Sequence, residues 1–178
     1  MVVEMFTKDL QIHKGNLPIE KIHSSWYEKY KNLNYGAFIT FVGVVRDENE
    51  IDGLSFDIYE PILNSWFSSW QEKAKKENAI VFMAHSIGDV KNHESSYIAG
   101  VCSPKRRVAL ELIDEFVEDF KKNAPIWKYD LRDNKRIYAK DRSQKIDGAG
   151  IFFNDTTPAE IYTITQHFVT MQQEVLKS

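Results

Sequence analysis

The sequence predicts an α+β fold, in which helices and mostly antiparallel strands are interspersed. Several segments place apolar residues at steps of three and four, which is the spacing of an amphipathic helix. Between them lie runs rich in β-branched and aromatic residues, which are typical of strands. Some of these strand-like runs follow one another across short polar turns and predict hairpins. A chain of 178 residues is long enough to bury a sizeable core in one domain.

The first predicted elements are a helix and a strand pair. Asn16 and Pro18 suit a helix start, and one apolar face follows, made of Ile19, Ile22, Trp26 and Tyr30. The run from Ala37 to about Val45 predicts a buried strand that closes in the polar turn after Arg46. Residues 54–61, "LSFDIYEP", alternate apolar and polar side chains and predict the returning strand of a hairpin.

A second helix and two strands follow. Pro61 opens the helix, whose predicted face is Ile62, Trp66, Trp70 and Ala74. Residues 79–90, "AIVFMAHSIGDV", predict a strand that runs into a glycine turn. Residues 95–104, "SSYIAGVCSP", predict another strand, which Pro104 breaks.

The longest helix is predicted to begin at Lys105 and to end near Lys122. Its apolar stripe consists of Val108, Leu112, Phe116 and Phe120. Residues 127–142 then predict two strands joined by an Asp-Asn turn.

The C-terminal segment predicts one more helix. Thr157 and Glu160 form a capping box, with Pro158 at the first helical position. A narrow apolar seam follows at steps of three and four, made of Ile161, Ile164, Phe168, Met171 and Val175. Such a seam fits a helix that docks on another helix across a dimer, and equally one that packs on its own domain.

Composition and charge exclude several classes of function. The net charge is −3, so there is no overall attraction to nucleic acid or to an anionic membrane, and any anion site must be a local cluster. Cys102 is the single cysteine, which excludes an intramolecular disulfide and a dithiol redox pair, and its apolar strand predicts a buried, inert thiol. The first 15 residues contain no long apolar run. We therefore expect a cytoplasmic protein.

The histidines predict no metal site. The five histidines are scattered and show no zinc-ligand spacing. His85 ends an apolar strand and is predicted to be a hydrogen-bonded structural residue. The sequence also contains no motif for a nucleotide or other cofactor.

Several basic residues lie at positions where they do not stabilise a helix. Lys105, Arg106 and Arg107 begin the longest helix, where cations oppose the helix dipole by about 0.3–1 kcal/mol each. An alternative is that these cations and the free backbone N–H groups bind an external anion such as phosphate. Lys121, by contrast, sits at the helix end, where the dipole favours it. Lys128 has no such explanation, and Arg46 ends a strand, where it binds a ligand or pairs with Asp47 or another surface acid.

Four segments in this order resemble the large, catalytic subunit of molybdopterin synthase. They are "GAFITFVGVVRD", "HSIGDV" followed by a short hairpin, "GVCSPKRRVAL" and "KKNAPIWKYD". Together they span roughly residues 36–142. The resemblance implies an α/β hammerhead-type fold with a small additional antiparallel β subdomain. It assigns residues 1–150 to the family domain and leaves residues 151–178 as a C-terminal helical extension.

The resemblance also implies a reaction and partners. Cyclic pyranopterin monophosphate would gain two sulfurs to become molybdopterin, and the enzyme would need no cofactor of its own. The sulfur would arrive as a thiocarboxylate on the C-terminal Gly-Gly of a small ubiquitin-like carrier, whose tail enters a pocket of this subunit. The catalytic subunit would form a homodimer, and a heterotetramer with the carrier.

Site residues are carried over by position. The family's two key lysines fall on Lys121 and Lys128, which would stabilise an oxyanion or move protons. Arg46 and Arg106 would bind the substrate phosphate, because the planar guanidinium suits it. Lys105 stands where the family has a histidine, and it can donate to phosphate but cannot act as a neutral imidazole base. A later basic residue that reaches a neighbouring subunit's site matches Lys140 or Arg142.

Two other functions remain open from the sequence. The basic cluster could hold a phosphorylated metabolite without catalysis, in which case the pterin would bind and no dithiolene would form. Alternatively, the chain could be an interaction protein that works through its C-terminal helix. Deletion of the residues after Asn154 would then abolish its function while leaving the basic pocket intact.

Overall fold

The computed structural model describes residues 2–139, which contain four helices and seven strands. The helices are α1 (Val2–Thr7), α2 (Ile19–Tyr30), α3 (Glu60–Lys76) and α4 (Arg106–Asn123). The strands are β1 (Leu10–Lys14), β2 (Ala37–Val44), β3 (Gly53–Ile58), β4 (Ile80–Lys91), β5 (Ser95–Ser103), β6 (Ile126–Arg132) and β7 (Lys135–Tyr138). None of these helices is both long and apolar enough to cross a membrane.

The chain divides into two units, residues 1–144 and 145–178. The residues that the structure describes all belong to the first unit. Lys140, Arg142 and the predicted C-terminal helix lie outside the described residues, and the division into residues 1–150 and 151–178 remains a prediction.

The strands form one mixed, mainly antiparallel sheet in the order β2-β5-β4-β3-β6-β7, and β1 pairs in parallel with β4. The predicted α+β class is therefore confirmed. β4 connects two parts of the sheet, because its first half pairs with β5 and its last four residues pair with β3. The change of partner occurs at Gly88, whose φ of 78° is a conformation that glycine adopts readily. The predicted glycine turn is thus a kink within a longer strand.

The predicted hairpin of β2 and β3 is wrong. β2 pairs with β5, and β3 lies between β4 and β6. The connecting segment is tied down along its way, since the N–H of Val45 donates to the carbonyl of Glu94 and the N–H of Asp52 donates to that of Leu131. Alternation of side chains identifies a strand but not its partner, and two consecutive strands need not pair.

The prediction that β2 is buried is also wrong over its second half. β2 is an edge strand, and in the single chain Phe41 is 43% exposed and Val44 is 51% exposed. Its first half is covered, because Ala37 and Ile39 pack against the core cluster that contains α3 and α4. A run of apolar residues on both faces of an edge strand is typical of a surface that meets another chain.

Helices cover both faces of the sheet. α3 and α4 pack on one face, around Val81, Met83, Ala99 and Phe116. α2 packs on the other face, where Ile22 and Trp26 meet Phe82 and Ile98. The predicted faces are close to those observed: in α4 Leu112 and Phe116 are buried as expected, whereas in α3 the buried set is Leu63, Phe67, Trp70 and Ala74. Each fully buried side chain of this size contributes about 1.5–3 kcal/mol to folding.

α1 and β1 were not predicted from the sequence. The end of α1 is fixed by side chains of α2, since Ser25 Oγ donates to the carbonyl of Phe6 and Trp26 Nε1 donates to that of Lys8. β1 then adds to β4 in parallel. Both elements are short, and tertiary contacts rather than local pattern stabilise them.

The β6–β7 hairpin confirms the predicted Asp-Asn turn. Arg132 pairs with Lys135, which leaves Asp133 and Asn134 as a two-residue loop with φ values of 48° and 59°. Positive φ at both positions is the requirement of a type I′ turn, and Asp and Asn tolerate it better than most residues.

Asp119 links α3 to α4. Its Oδ2 atom accepts hydrogen bonds from Trp66 Nε1 at 2.8 Å and from Trp70 Nε1 at 2.7 Å, and its Oδ1 atom accepts one from Asn123. Burial alone would raise the pKa of Asp119, but the three hydrogen bonds outweigh this effect and lower the pKa. The charged form of the carboxylate is therefore the form that joins the two helices.

We expect Asp119→Ala to lower the free energy of unfolding by about 1–3 kcal/mol, because two indole donors lose a charged acceptor. Chemical denaturation at pH 7 measures the change. Asp114→Ala is the matched control, since Asp114 lies on the same helix and is exposed; it should change stability by less than about 0.5 kcal/mol. Equal effects of the two substitutions would contradict the assigned role of Asp119.

Candidate active site

The basic residues selected from the sequence lie at opposite ends of α4. Lys105 and Arg106 stand at its start and Lys121 lies in its last turn. Arg106 and Lys121 are 15 residues apart on this helix, which at 1.5 Å per residue is about 22 Å. The basic residues therefore form two separate clusters on one chain, one at each end of α4.

The loop before α4 is rigidly held. Ser103 is fully buried, and its hydroxyl donates to the carbonyl of Lys105 at 2.7 Å and accepts from the N–H of the same residue at 3.2 Å. Gly36 allows the close approach of the neighbouring strand, since a Cβ there would lie 2.8 Å from the Pro104 carbonyl oxygen. The side chains of Lys105 and Arg106 are exposed beyond this fixed backbone.

The start of α4 also lacks the features that normally stabilise a helix N-terminus. Lys105 is the N-cap residue and makes no side-chain capping hydrogen bond, and no acidic residue lies in the first turn. Arg107 pairs with Glu111 at 3.8 Å, which is a loose surface ion pair. The free backbone N–H groups and the cations are both suited to an external anion.

Lys121 and Lys128 lie on either side of the turn that follows α4. After α4 ends at Asn123, the chain turns through Ala124 and Pro125 directly into β6. Lys128 lies within β6, is half-buried and is the cross-strand partner of Phe56. Ala124 and Ile126, which lie between the two lysines in sequence, are buried in the same cluster as Phe56. Because opposite residues of an antiparallel pair share a face, the side chain of Lys128 lies on the same face of the sheet as that of Phe56.

Arg46 lies near the same end of α4 as Lys121. It follows Val45, which is buried in the cluster that contains Ala124 and Ile126. The Arg46 side chain is 78% exposed and pairs with Glu48 at 3.1 Å. This is the surface acid pair considered from the sequence, with Glu48 in place of Asp47. A pair this exposed contributes only about 0–1 kcal/mol, so a phosphate can replace it.

His85 lies in an aromatic pocket beside Phe56, the cross-strand partner of Lys128. Its Nδ1 atom is 2.7 Å from the carbonyl oxygen of Ser86, which confirms the predicted hydrogen-bonded role. Its ring contacts Phe56, Tyr97 and Phe120. Burial lowers the pKa of His85 to about 4; the bond to Ser86 acts in the opposite direction, and the positive charge of Lys128 lowers it further. His85 is therefore neutral at physiological pH.

Tyr97 is a residue that sequence reasoning missed. Its ring stacks on Phe120 with 4.2 Å between centroids, and its Cβ packs against Gly43 of β2. Its hydroxyl is buried and has no hydrogen-bond partner in the part of the chain that the structure describes. Burial raises its pKa well above the usual value. The available signal was a tyrosine within the otherwise small and apolar strand "YIAGVC".

Cys102 has the inert character that the sequence predicted. It is 1% exposed and packs in the α2 cluster, on the sheet face opposite α4. Burial, with a smaller effect of Asp9, raises the pKa of its thiol to about 12. A protonated, buried thiol is a poor nucleophile and a poor sulfur donor.

This chain is an α+β protein with basic groups at both ends of α4, next to the apolar sheet edge formed by β2. Residues 16–123 match the family described as MoaE protein. A protein of Helicobacter pylori strain 26695 named molybdopterin synthase catalytic subunit is 49% identical over 142 residues, which are 80% of this chain and 98% of that protein. The chain belongs to the MoaE family, as the resemblance indicated.

Other comparisons agree with this assignment. A Thermoplasma volcanium protein of the same name is 31% identical over 137 residues, which are 74% of this chain and 92% of that protein. A solved complex of subunits 1 and 2 of molybdopterin-converting factor from Helicobacter pylori 26695 contains a chain with 48% identity and a TM-score of 0.77, covering 82% of this chain and 99% of that chain. A molybdopterin synthase structure from Staphylococcus aureus, at 21% identity and a TM-score of 0.64, covers 74% of this chain and 96% of that one and supports the fold alone.

The depressed pKa of His85 predicts a pH-dependent stability. Between pH 6.5 and about 4 the unfolded chain binds a proton at this residue that the folded chain does not. The contribution is therefore complete above pH 6.5 and is lost as the pH falls toward 4. Its full size is on the order of 3 kcal/mol, from 1.36 kcal/mol per pKa unit.

We expect His85→Phe to show a flatter decline of unfolding free energy between pH 6.5 and 4 than the unmodified protein. Denaturant titrations at several pH values measure this slope. His93→Asn is the control, because the His93 side chain is 76% exposed and its φ of 69° suits asparagine. The control should keep the original slope, and an unchanged slope in His85→Phe would contradict the buried, neutral state of His85.

Proposed function

We propose that this chain is the catalytic subunit of a molybdopterin synthase. It converts cyclic pyranopterin monophosphate to molybdopterin by inserting two sulfurs, which arrive as a C-terminal thiocarboxylate on a small ubiquitin-like carrier. The observation that carries the proposal is the position of Lys121 and Lys128 on either side of the turn that follows α4, in a chain whose match spans 98% of a relative named for this activity.

The two lysines act where sulfur passes from carrier to pterin. Attack on the substrate and later release of the carrier both develop negative charge on oxygen, and an ammonium group stabilises it in a partly dry site. The same groups can donate or accept protons as water leaves the pterin side chain. The sulfur comes from the partner because the thiol of Cys102 is buried and protonated. No resident cofactor or metal ion is required in this scheme.

A second copy of the chain completes the phosphate site. Ala37 at the start of β2 pairs with Ser103, next to Lys105, and Val44 at its end precedes Arg46. If the exposed edges of two β2 strands pair antiparallel about a twofold axis, the start of one strand lies beside the end of the other. Lys105 and Arg106 of one protomer then approach Arg46, Lys121 and Lys128 of the second. The exposed Phe41 and Val44 become buried in this arrangement, which supports it.

The carrier binds each protomer of this dimer and forms a heterotetramer. Its flexible C-terminal tail reaches the lysines, while the phosphate of the pterin is held by Arg46, Lys105 and Arg106. Lys140 or Arg142 supplies the additional basic group that reaches a neighbouring subunit's site. A thiocarboxylate carrier and a single reduced thiol suit a cytoplasmic location.

We expect Lys121→Ala and Lys128→Ala each to lower turnover by about 10²–10⁴-fold, since each removes a group that acts on the developing charge. Molybdopterin formation from cyclic pyranopterin monophosphate and thiocarboxylated carrier is the measurement. Lys122→Ala is the control, because Lys122 is an exposed neighbour in the same helical turn. Wild-type turnover in both site variants would end the proposal, and pterin binding without product by the unmodified protein would favour a non-catalytic binding module.

The shared site predicts complementation between two inactive variants. A hybrid dimer of one Arg106→Ala chain and one Lys128→Ala chain contains one site with both residues intact and one site that lacks both. Hybrids isolated with two different affinity tags should regain about half of the wild-type activity, because one of two symmetric sites is restored. Each variant homodimer, treated in the same way, serves as the control. Hybrids no more active than the homodimers would place both residues in a site within one chain.

A further inference from the structure

His85 packs against two aromatic rings, Phe56 and Phe120, that neighbour the two lysines of the proposed site. Its ring centroid is 4.9 Å from that of Phe56, which is the cross-strand partner of Lys128. It is 5.5 Å from that of Phe120, which directly precedes Lys121. The imidazole is 4% exposed. No role in the sulfur-transfer scheme above requires a histidine at this place.

The hydrogen bond to Ser86 determines which ring nitrogen carries the proton. A carbonyl oxygen only accepts, so the Nδ1 atom, 2.7 Å from it, must carry hydrogen. In a neutral imidazole the other nitrogen, Nε2, then has a lone pair and is an acceptor. Burial keeps the ring neutral, since its pKa is about 4. His85 therefore presents a fixed acceptor inside an otherwise aromatic pocket.

The surrounding groups differ in what they can offer this acceptor. The walls formed by Phe56 and Phe120 have no polar hydrogen. The Tyr97 hydroxyl has no hydrogen-bond partner among the described residues, so it does not bind Nε2. Lys128 on β6 is the charged group whose field reaches the imidazole, and an ammonium can only donate. Lys121, which directly follows Phe120 on α4, is a second cation to compare with Lys128.

We propose that His85 is a positioning residue for Lys128: its Nε2 atom accepts a hydrogen bond from the Lys128 ammonium and so holds that lysine in place and in its charged form. The direction of the lysine is then set by β4, through the Ser86 carbonyl and the imidazole, rather than by the flexible side chain alone. A group held in this way needs little reorganisation when negative charge develops beside it. The inference rests on the proposed function only for the catalytic meaning of Lys128.

Two substitutions separate this role from a structural one. His85→Gln places an acceptor near the Nε2 position and gives up the donor to Ser86. His85→Asn keeps a donor near the Nδ1 position and gives up the Nε2 acceptor. If His85 positions Lys128, turnover of His85→Gln should stay within about threefold of wild type, and turnover of His85→Asn should fall by about 10- to 100-fold, the factor for a lost hydrogen bond to a charged group. The KM for the pterin should stay near its wild-type value in both.

The opposite order of the two variants would overturn the proposal, because a purely structural histidine depends on its bond to Ser86. Equal losses in both variants, parallel to their losses in thermal stability, would overturn it as well. Turnover is measured on the full chain with thiocarboxylated carrier.

A second measurement does not depend on catalysis or on altered folding at His85. Nitrogen-15 NMR of the histidine side chains reports the tautomer and the pKa of His85 in the unmodified protein, in Lys128→Met and in Lys121→Met. We expect the Nδ1–H tautomer, and we expect Lys128→Met to raise the His85 pKa and to shift the Nε2 resonance toward that of an unbound acceptor, with a much smaller change in Lys121→Met. Identical Nε2 resonances in the two variants would refute the contact between His85 and Lys128. If the NMR result holds while the unmodified enzyme forms no molybdopterin, the proposed function fails and the contact stands.

Discussion

The length and rigidity of α4 determine how the rest of the molecule is arranged. An α-helix of 18 residues cannot shorten or bend enough to bring its ends together, so Arg106 and Lys121 stay about 22 Å apart. The helix is anchored along its length, with Leu112, Ile113 and Phe116 buried against the sheet and Asp119 bonded to two tryptophans of α3. In the proposed dimer, this fixed distance makes the two basic clusters of one chain parts of two different sites.

The apolar edge of β2 gives a physical reason for the same arrangement. In a single chain it exposes Phe41 and Val44 on a strand edge that pairs with no other strand of residues 2–139, and such an edge favours uncontrolled association. Pairing of two β2 strands about a twofold axis would bury that edge in a closed dimer, so that no further chain can add to it. Because the ends of β2 lie near the two ends of α4, the proposed twofold pairing would cover this edge and also join unlike basic clusters from the two chains. The same contact between two chains would then stabilise the dimer and complete the site.

Much of the fold could be predicted from the sequence, and the errors have physical causes. Local patterns were sufficient for α2, α3, α4, β5 and the Asp133–Asn134 turn, because periodicity and turn chemistry depend on near neighbours. They were insufficient for the pairing of β3, since strand partners are chosen by long-range packing. The edge position of β2 was missed for a related reason, because an interface strand has the same apolar composition as a buried one. Lys121 and Lys128 were identified by resemblance, whereas the aromatic pocket of His85 and Tyr97 needed three-dimensional contacts.

The lysine at position 105 changes how protons can be handled in this site. Lysine contributes positive charge and hydrogen-bond donors at the start of α4, but it offers no neutral acceptor there, whereas the family pattern has a histidine. In the proposed site, Lys105 and Arg106 would therefore hold the phosphate by positive charge and hydrogen-bond donors alone. We assign proton transfer to the other half of the proposed site, where the charge of Lys128 acts on the neutral imidazole of His85. In the proposed site, one end of α4 binds the phosphate and the other end transfers protons. Dimer formation would bring these two ends together from different chains.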